Sequence, residues 1–529
     1  MKFSIISKVI FLVSLCHIAV QGQSLIAIDG DVNFPSTTEL QASTETIRLY
    51  NPNSFPITVD AVDRFEIYGN RVFSVSDSQF TVLPSDTFSL TVSFLPEHNV
   101  LHEQVLVFKS KSGFGHTKVG LNGQGSYSRS YYSTTENKSQ EALKNALDSR
   151  LAQGYNDLGY SGARDQMYAT IDNNNGQVEC VYTGRTATFN TRAGANSNTF
   201  NCEHTFPQGF FNSNVPMRSD IHHLFPTDVS ANSRRGNDPF GVVSSASWTM
   251  GGSKSGGGKF EPRDAQKGAT ARAMMYFVIR YQDYSSHFSG QESILRQWHQ
   301  QFPPSAAEKA RNAAIYNVQN NRNPFVDYPQ FVERISDIDG TASASSITEL
   351  YASDDTIKLA SGSNLSRSYT FVLYNSGTES VSLGGFSLSD PNLSFANGNP
   401  GTLSLAAGQS LSLDIDFMTN INYQTSLNYQ VSGGIGLQSV PVISGPGLSV
   451  SDFEIEDLPQ FFPNPSKGLV HLQNYKAIKK LSLVDASGKE WSLEAQAILD
   501  LSHLPKGHYT FRIVLKEDNS LYSQKLILN

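Results

Sequence analysis

The chain has 529 residues, of which 39% are hydrophobic and 11% aromatic. That length asks for roughly three to four domains, and that composition excludes a disordered chain. Net charge is −8, which by itself argues against a nucleic-acid partner, but the charge is uneven. Residues 127–334 hold 21 Lys and Arg against 18 Asp and Glu, while the remainder holds 19 against 30. A mildly basic segment inside an acidic chain suits a polyanionic substrate, and a mixed solvated surface gives the same count.

Residues 1–22 read as a secretory signal peptide. Lys2 and Lys8 supply positive charge, Val9 to Val20 a short apolar run, and Val20 and Gly22 a small-residue cleavage site. The run is too short to span a bilayer, and no later segment approaches the ~20 apolar residues a membrane helix needs, so a soluble, secreted or surface-held product exported through the periplasm is expected. The chain has three cysteines. Cys16 lies in the leader, which leaves Cys180 and Cys202 as either a disulfide or two buried free thiols.

Residues 24–126 alternate apolar and polar side chains in short runs, as in Thr46–Tyr50, Ile57–Val62 and Phe88–Phe94. That period predicts an antiparallel β-sandwich. Residues 336–447 repeat it. Leu49-Tyr50-Asn51-Pro52 matches Leu373-Tyr374-Asn375-Ser376, and Leu83–Leu90 matches Leu405–Ser412. The two segments resemble the Ig-like modules that accompany exported bacterial enzymes, which implies spacer or weak binding roles.

The period changes in 127–335. Leu143, Leu147 and Leu151 share a helical face, with Gly154 as the stop. A second helix starts at Pro262, a third runs from Ser293 to Phe302, and a fourth opens at Ser305 with Glu308 in a capping box. This is a mixed α+β segment. Residues 454–529 form a last small β unit. Its Phe462–Gly468, Leu481–Lys489 and Asp500–Phe511 stretches resemble the C-terminal sorting domain of the type IX secretion system, the alternative being one more small sandwich. The resemblance implies the outer-membrane secretion machinery as a partner.

The chemistry concentrates in Asn201–Gln208, Ser219–Asp228 and Asn232–Asn237. Phosphodiester hydrolysis needs an activated water, an offset for phosphoryl charge and a stabilised leaving alkoxide. A hard divalent ion on oxygen ligands serves the last two, and a neutral imidazole serves the first. Glu203 and Asn232 are the oxygen donors, and one carboxylate with one amide suits Mg2+, with Ca2+ or Mn2+ as alternatives. Residues 228–235 read as a short helix, capped by Thr227 or Asp228 and ended by Gly236, with Asn232 and Arg235 on one face. His204 becomes the general base. In a regular strand it points away from Glu203, so both serve one site only if the strand is distorted there. Alone, the Glu203-His204 pair reads as a surface salt bridge. His222 and His223 read as structural, and Gly256-Gly257-Gly258-Lys259 as a flexible loop, since Phe260 stands where a phosphate loop needs Ser or Thr.

Glu203-His204-Thr205-Phe206-Pro207, Ser219–Thr227, Asn232–Asn237 and Gln319–Asp327, in that order, resemble the endonuclease I family of ββα-metal (His-Me finger) nucleases. The resemblance covers residues 127–334. It implies a metal-binding Glu203 and Asn232, a water-activating His204, and 5′-phosphorylated fragments of DNA, and of RNA too, cut with little sequence preference. Some members carry a long insertion with an Arg that steadies the product phosphate. The short Gly209–Arg218 loop here replaces it, which leaves Arg218, Arg235 and Arg322 as substrate-binding candidates. The expected architecture is multidomain: an α+β ββα-metal nuclease core flanked by all-β Ig-like sandwiches and a small C-terminal β-sandwich. A surface adhesin that binds nucleic acid without cutting it is the alternative.

Overall fold

The period-2 runs become strands whose apolar alternates are buried. Ile47, Leu49, Leu90, Val92 and Phe94 are all at most 1% exposed. The computed structural model describes residues 23–66, 72–282, 285–444, 459–462, 466–485, 489–516 and 521–528. The leader read at 1–22, with Cys16, lies outside them. The chain divides into two units, Met1–Gly445 and Pro446–Asn529.

In the first unit the two repeated segments have the same topology. Residues 24–126 form a four-stranded sheet in the order Ile26–Ala27, Ser43–Tyr50, Thr87–Phe94, Phe73–Val75. A five-stranded sheet follows the order Val32–Thr38, Thr117–Ser126, Leu101–Ser110, Ile57–Glu66, Phe80–Val82. Residues 350–443 repeat both orders strand for strand: Leu350–Ala352, Ser366–Asn375, Ser410–Met418, Ser394–Phe395 in one sheet, and Ile357–Lys358, Gly436–Ile443, Gln424–Val431, Val381–Leu388, Leu403–Leu405 in the other. Each five-stranded sheet carries the same parallel pairing of its first two strands among antiparallel ones. The short matches at Asn51 and Asn375 have a structural cause. Each amide donates to two backbone carbonyls, Phe55 and Val82 in one copy, Glu379 and Leu405 in the other.

Far apart in sequence, the two copies touch each other. Val105 and Val107 meet Val372 and Tyr374 on the faces of Leu101–Ser110 and Ser366–Asn375 that point away from each copy's own core. This is why those strands are apolar on both faces. Gly115 bridges Thr370 in parallel, and His116 Nε2 lies 2.8 Å from an Asp354 carboxylate oxygen. The segment between them attaches to the first copy through Arg334, which donates to Asn99 Oδ1 at 2.6 Å.

That middle segment is helical where its sequence has helical period. Gln140–Ala152 buries Leu143, Leu147 and Leu151 completely. Asp264–Tyr281 starts two residues after Pro262, and Glu292–Gln301 and Ala306–Gln319 follow. The capping box at Ser305 is half made. Its hydroxyl accepts the Glu308 N–H at 3.1 Å, but the Glu308 carboxylate binds Arg272 instead of the cap. Gly257 and Gly258, both at positive φ, form the two-residue turn joining Ser253–Gly256 to Lys259–Glu261. The flexible loop expected there is a tight hairpin, with glycine at both positions because a primed turn requires left-handed backbone twice.

The second unit has two antiparallel sheets. One orders Gln460–Phe462, Leu469–Gln473, Ile498–Asp500, and the other Glu490–Leu493, Ile478–Asp485, Gly507–Leu515, Leu521–Leu528. Leu481, Leu483, Phe511, Ile513 and Leu526 fill its core. Among the described residues no helix is long and apolar enough to cross a membrane.

Candidate active site

The polar stretch Asn201–His204 lies in the strand Phe200–His204, which pairs antiparallel with Leu224–Asp228 in a two-stranded ribbon. The register runs without a break from Phe200 opposite Asp228 to His204 opposite Leu224. The distortion that a shared face would require between Glu203 and His204 is therefore absent, and the two side chains leave opposite faces. The helix Val229–Arg235 follows directly and ends at Gly236, φ +52°. Asp228 occupies its N-cap position but does not cap it, because Arg185 and Thr183 hold the carboxylate.

The helix covers the Glu203 face. Asn232 donates its amide to Asn201 Oδ1 at 2.9 Å and to the Cys202 carbonyl at 3.3 Å. Arg235 places Nε 3.4 Å from Glu203 Oε1 and donates to the Thr205 carbonyl at 2.6 Å. Tyr182 donates its hydroxyl to the same Glu203 oxygen at 2.6 Å. Burial pushes the Glu203 carboxyl up, while Arg235 and the Tyr182 hydroxyl pull it down. Glu203 Oε2 and Asn232 Oδ1 accept no hydrogen bond from any described residue. Two free oxygens, one anionic and one neutral, fit a hard divalent ion that keeps most of its own waters. Among the described residues no group of three His, Cys, Asp or Glu could hold a metal.

His204 sits on the other face. Its Nε2 lies 3.2 Å from the Arg218 carbonyl, so that nitrogen carries the proton and Nδ1 keeps its lone pair. Burial, with His223 nearby, pushes its pKa down to about 3, so the ring is neutral. The loop that offers the Arg218 carbonyl is fixed by Asp220. That carboxylate is fully buried and accepts from Tyr276 and Tyr281 hydroxyls at 2.7 and 2.8 Å and from Gln319 at 2.7 Å. Both tyrosines come from the helix Asp264–Tyr281. His222 and His223 are buried and bound to the Asn321 and Met217 carbonyls.

The three arginine candidates separate. Arg235 is 1% exposed and spent on Glu203 and backbone, so it cannot reach a substrate. Arg322 is 6% exposed in its side chain and locked on both oxygens of Asp327. Arg218 stays half-buried and stacks 4.3 Å from the centre of the Tyr160 ring, which is itself 5.4 Å from the His204 ring. Cys180 and Cys202 are free and buried, so the disulfide alternative is corrected to two thiols. Cys180 accepts the Asp228 N–H, and burial pushes the Cys202 thiol up to about 12. Sequence reasoning missed Tyr160, Arg164 and Tyr182. Asn201 lay inside the flagged stretch. Arg164 and Tyr160 are one helical turn apart, a spacing that could have been read, whereas Tyr182 meets Glu203 from a distant segment and carries no local signal.

Residues 139–330 match the family described as Endonuclease I. The extracellular ribonuclease of Bacillus subtilis (strain 168) is 32% identical over 225 residues, covering 39% of this chain and 77% of that protein. The chain belongs to the endonuclease I family. The extracellular ribonuclease of Bacillus amyloliquefaciens is 33% identical over the same coverage. As a family member the chain is a nuclease, of a metal-dependent kind, which sets the non-cleaving adhesin aside. Residues 460–529 match a secretion-system C-terminal sorting domain, so this endonuclease I relative is secreted or held at the cell surface by the type IX route. A solved PapD-like domain of human CEP192 aligns over 24% of this chain and 100% of its own at 10% identity, with a TM-score of 0.18.

Proposed function

We propose that the chain is an exported endonuclease that hydrolyses phosphodiester bonds of DNA and RNA with one Mg2+ ion and His204 as general base, leaving 5′-phosphates. The observation that carries the proposal is the 3.2 Å contact between His204 Nε2 and the Arg218 carbonyl, which can only accept. With Nε2–H tied to the Arg218 carbonyl, Nδ1 is held as an acceptor and the ring does not rotate away. Glu203 Oε2 and Asn232 Oδ1 would hold the ion. When bound, the ion offsets charge on the phosphoryl oxygens and the leaving oxygen. The ribbon has only two strands, and we propose that the phosphodiester lies along the edge of Phe200–His204, between the face of Glu203 and the face of His204. On this reading Glu203 and His204 serve one reaction from opposite faces of a regular strand, without the distortion a shared face would need.

A ring with a pKa near 3 is a weak base. The incoming phosphate anion raises it, because a nearby opposite charge favours the imidazolium. His204 then accepts the water proton as the water oxygen bonds to phosphorus. The bond from phosphorus to the 3′ oxygen breaks, the 3′ oxygen leaves and takes a proton from solvent, and the phosphate stays on the 5′ oxygen. Tyr182 and Arg235 fix the Glu203 carboxylate, and Asn201 fixes Asn232.

We assign residues 127–335 as the catalytic domain and 24–126 and 336–447 as Ig-like modules that act as spacers. Residues 454–529 are read by the outer-membrane secretion machinery. Nicking of supercoiled plasmid by the purified full chain, with Mg2+ and with EDTA, tests the proposal. Cleavage of DNA and RNA that EDTA abolishes is expected, and cleavage that survives EDTA defeats it.

A further inference from the structure

Most arginines of the catalytic segment are committed to carboxylates: Arg185 to Asp228, Arg272 to Glu308, Arg311 to Asp172, Arg322 to Asp327. Arg164 and Arg218 are exceptions. Neither has a carboxylate within ion-pair distance among the described residues, and both guanidiniums stack on one aromatic ring. Arg164 lies 4.0 Å and Arg218 4.3 Å from the centre of Tyr160. Arg164 and Tyr160 belong to the helix Gly159–Gln166, and Arg218 to the loop whose carbonyl orients His204. The Nε of Arg218 is buried with no acceptor. Two like charges on one ring repel unless an anion joins them. Arg164 spends its Nε on the Tyr160 carbonyl at 3.4 Å. A stacked guanidinium still presents its remaining edge donors in a fixed plane, the arrangement suited to phosphate.

Resting on the nuclease reading above, we propose that Arg164, Tyr160 and Arg218 form a second phosphate subsite. It would grip the backbone phosphate next to the one being cut, on the His204 side of the ribbon. The tyrosine is a spacer, not a base-stacking platform, since guanidiniums cover its ring. The subsite explains how an acidic chain holds a polyanion: the charge is concentrated in two unpaired groups beside the base, not spread over the surface. It also makes the enzyme a reader of strands in preference to isolated phosphodiesters.

The test uses the full chain with Arg164→Ala, Arg164→Lys and Tyr160→Ala. Substrates are a short single-stranded oligonucleotide and bis(p-nitrophenyl) phosphate, which carries one phosphate only. Arg164→Ala is expected to raise KM on the oligonucleotide about tenfold more than on the ester, in keeping with loss of one charge-assisted contact. Its dependence of log(kcat/KM) on log[salt] should flatten by about 0.7, one phosphate contact on a single strand. Arg164→Lys should recover the salt slope, and Tyr160→Ala should behave as Arg164→Ala. An unchanged slope and KM in Arg164→Ala overturns the subsite, as does an equal loss on both substrates. Retained activity of His204→Ala on both substrates would instead defeat the catalytic reading, and leave the Arg164 comparison standing.

Discussion

The carbonyl of Arg218 accepts the Nε2 proton of His204 at 3.2 Å, fourteen residues away in sequence. A backbone atom, not a side chain, therefore selects the tautomer of the proposed base. The Arg218 carbonyl is in turn placed by the buried carboxylate of Asp220, which two tyrosines of one long helix grip.

His204→Ala should lower kcat by about 10²–10⁴, the range of general-base contributions, while metal affinity stays that of the wild type. Glu203→Ala and Asn232→Ala should weaken metal binding directly. Isothermal titration with Mg2+ separates the two classes, and equal binding by Glu203→Ala and wild type would falsify the ligand assignment.

Asp220→Asn should leave His204 chemically intact but poorly oriented. The amide donates where the carboxylate accepted from two hydroxyls, so the 217–223 loop loosens. Thermal stability and kcat should fall together. A variant with wild-type melting temperature and kcat would show that the Asp220 hub does not position the base.

Arg235→Ala should destabilise the fold by about 3–5 kcal/mol, because it leaves a buried Glu203 carboxylate without its cation. Arg235→Ala with Glu203→Gln should recover part of that loss while remaining inactive. Urea unfolding of the single and double variants measures it. Additive losses would mean that the pair is not coupled.

Acidification should destabilise the first unit between pH 6.5 and about 4. Burial depresses His222 and His299 to about 4 and His204 to about 3, from an ordinary 6.5. In this window the unfolded chain binds protons that the folded chain excludes. Stability is therefore full above 6.5 and falls as pH falls, by about 1.4 kcal/mol per pH unit for each such histidine. Melting temperatures measured from pH 7.5 to 4 check the slope, and a flat profile contradicts it.

Gly115→Ala should weaken the contact between the two β modules. Gly115 has φ +79°, and an added Cβ would lie 2.3 Å from Thr370 backbone atoms. A cost of about 1–3 kcal/mol is expected from the strained backbone alone. Faster limited proteolysis of the variant, with nuclease activity retained, is the expected readout. An unchanged cleavage pattern would mean that the modules do not depend on this approach.

The sequence by itself determined the local structure and the chemical cast. Alternation in Thr46–Tyr50 and Phe88–Phe94 specified strands, because a buried face fixes period and register. The spacing of Leu143, Leu147 and Leu151 specified a helix for the same reason at a different period. Glu203, His204 and Asn232 stood out as candidates in the sequence because their residue types and order match the chemical requirement; their roles remain proposed. Arg235 and Arg322 misled, since a guanidinium looks the same in sequence whether it faces solvent or a buried carboxylate. Only the tertiary structure decided that Glu203 spends one oxygen on Tyr182 and Arg235, that His204 is neutral with Nδ1 free, and that Tyr160 gathers Arg164 and Arg218. It alone joined the two β modules through Gly115 and Thr370. Apart from the Tyr160–Arg164 contact, which is one helical turn, each of these depends on distances between separate segments of the chain, and on burial, which sets both charge and hydrogen-bond partner.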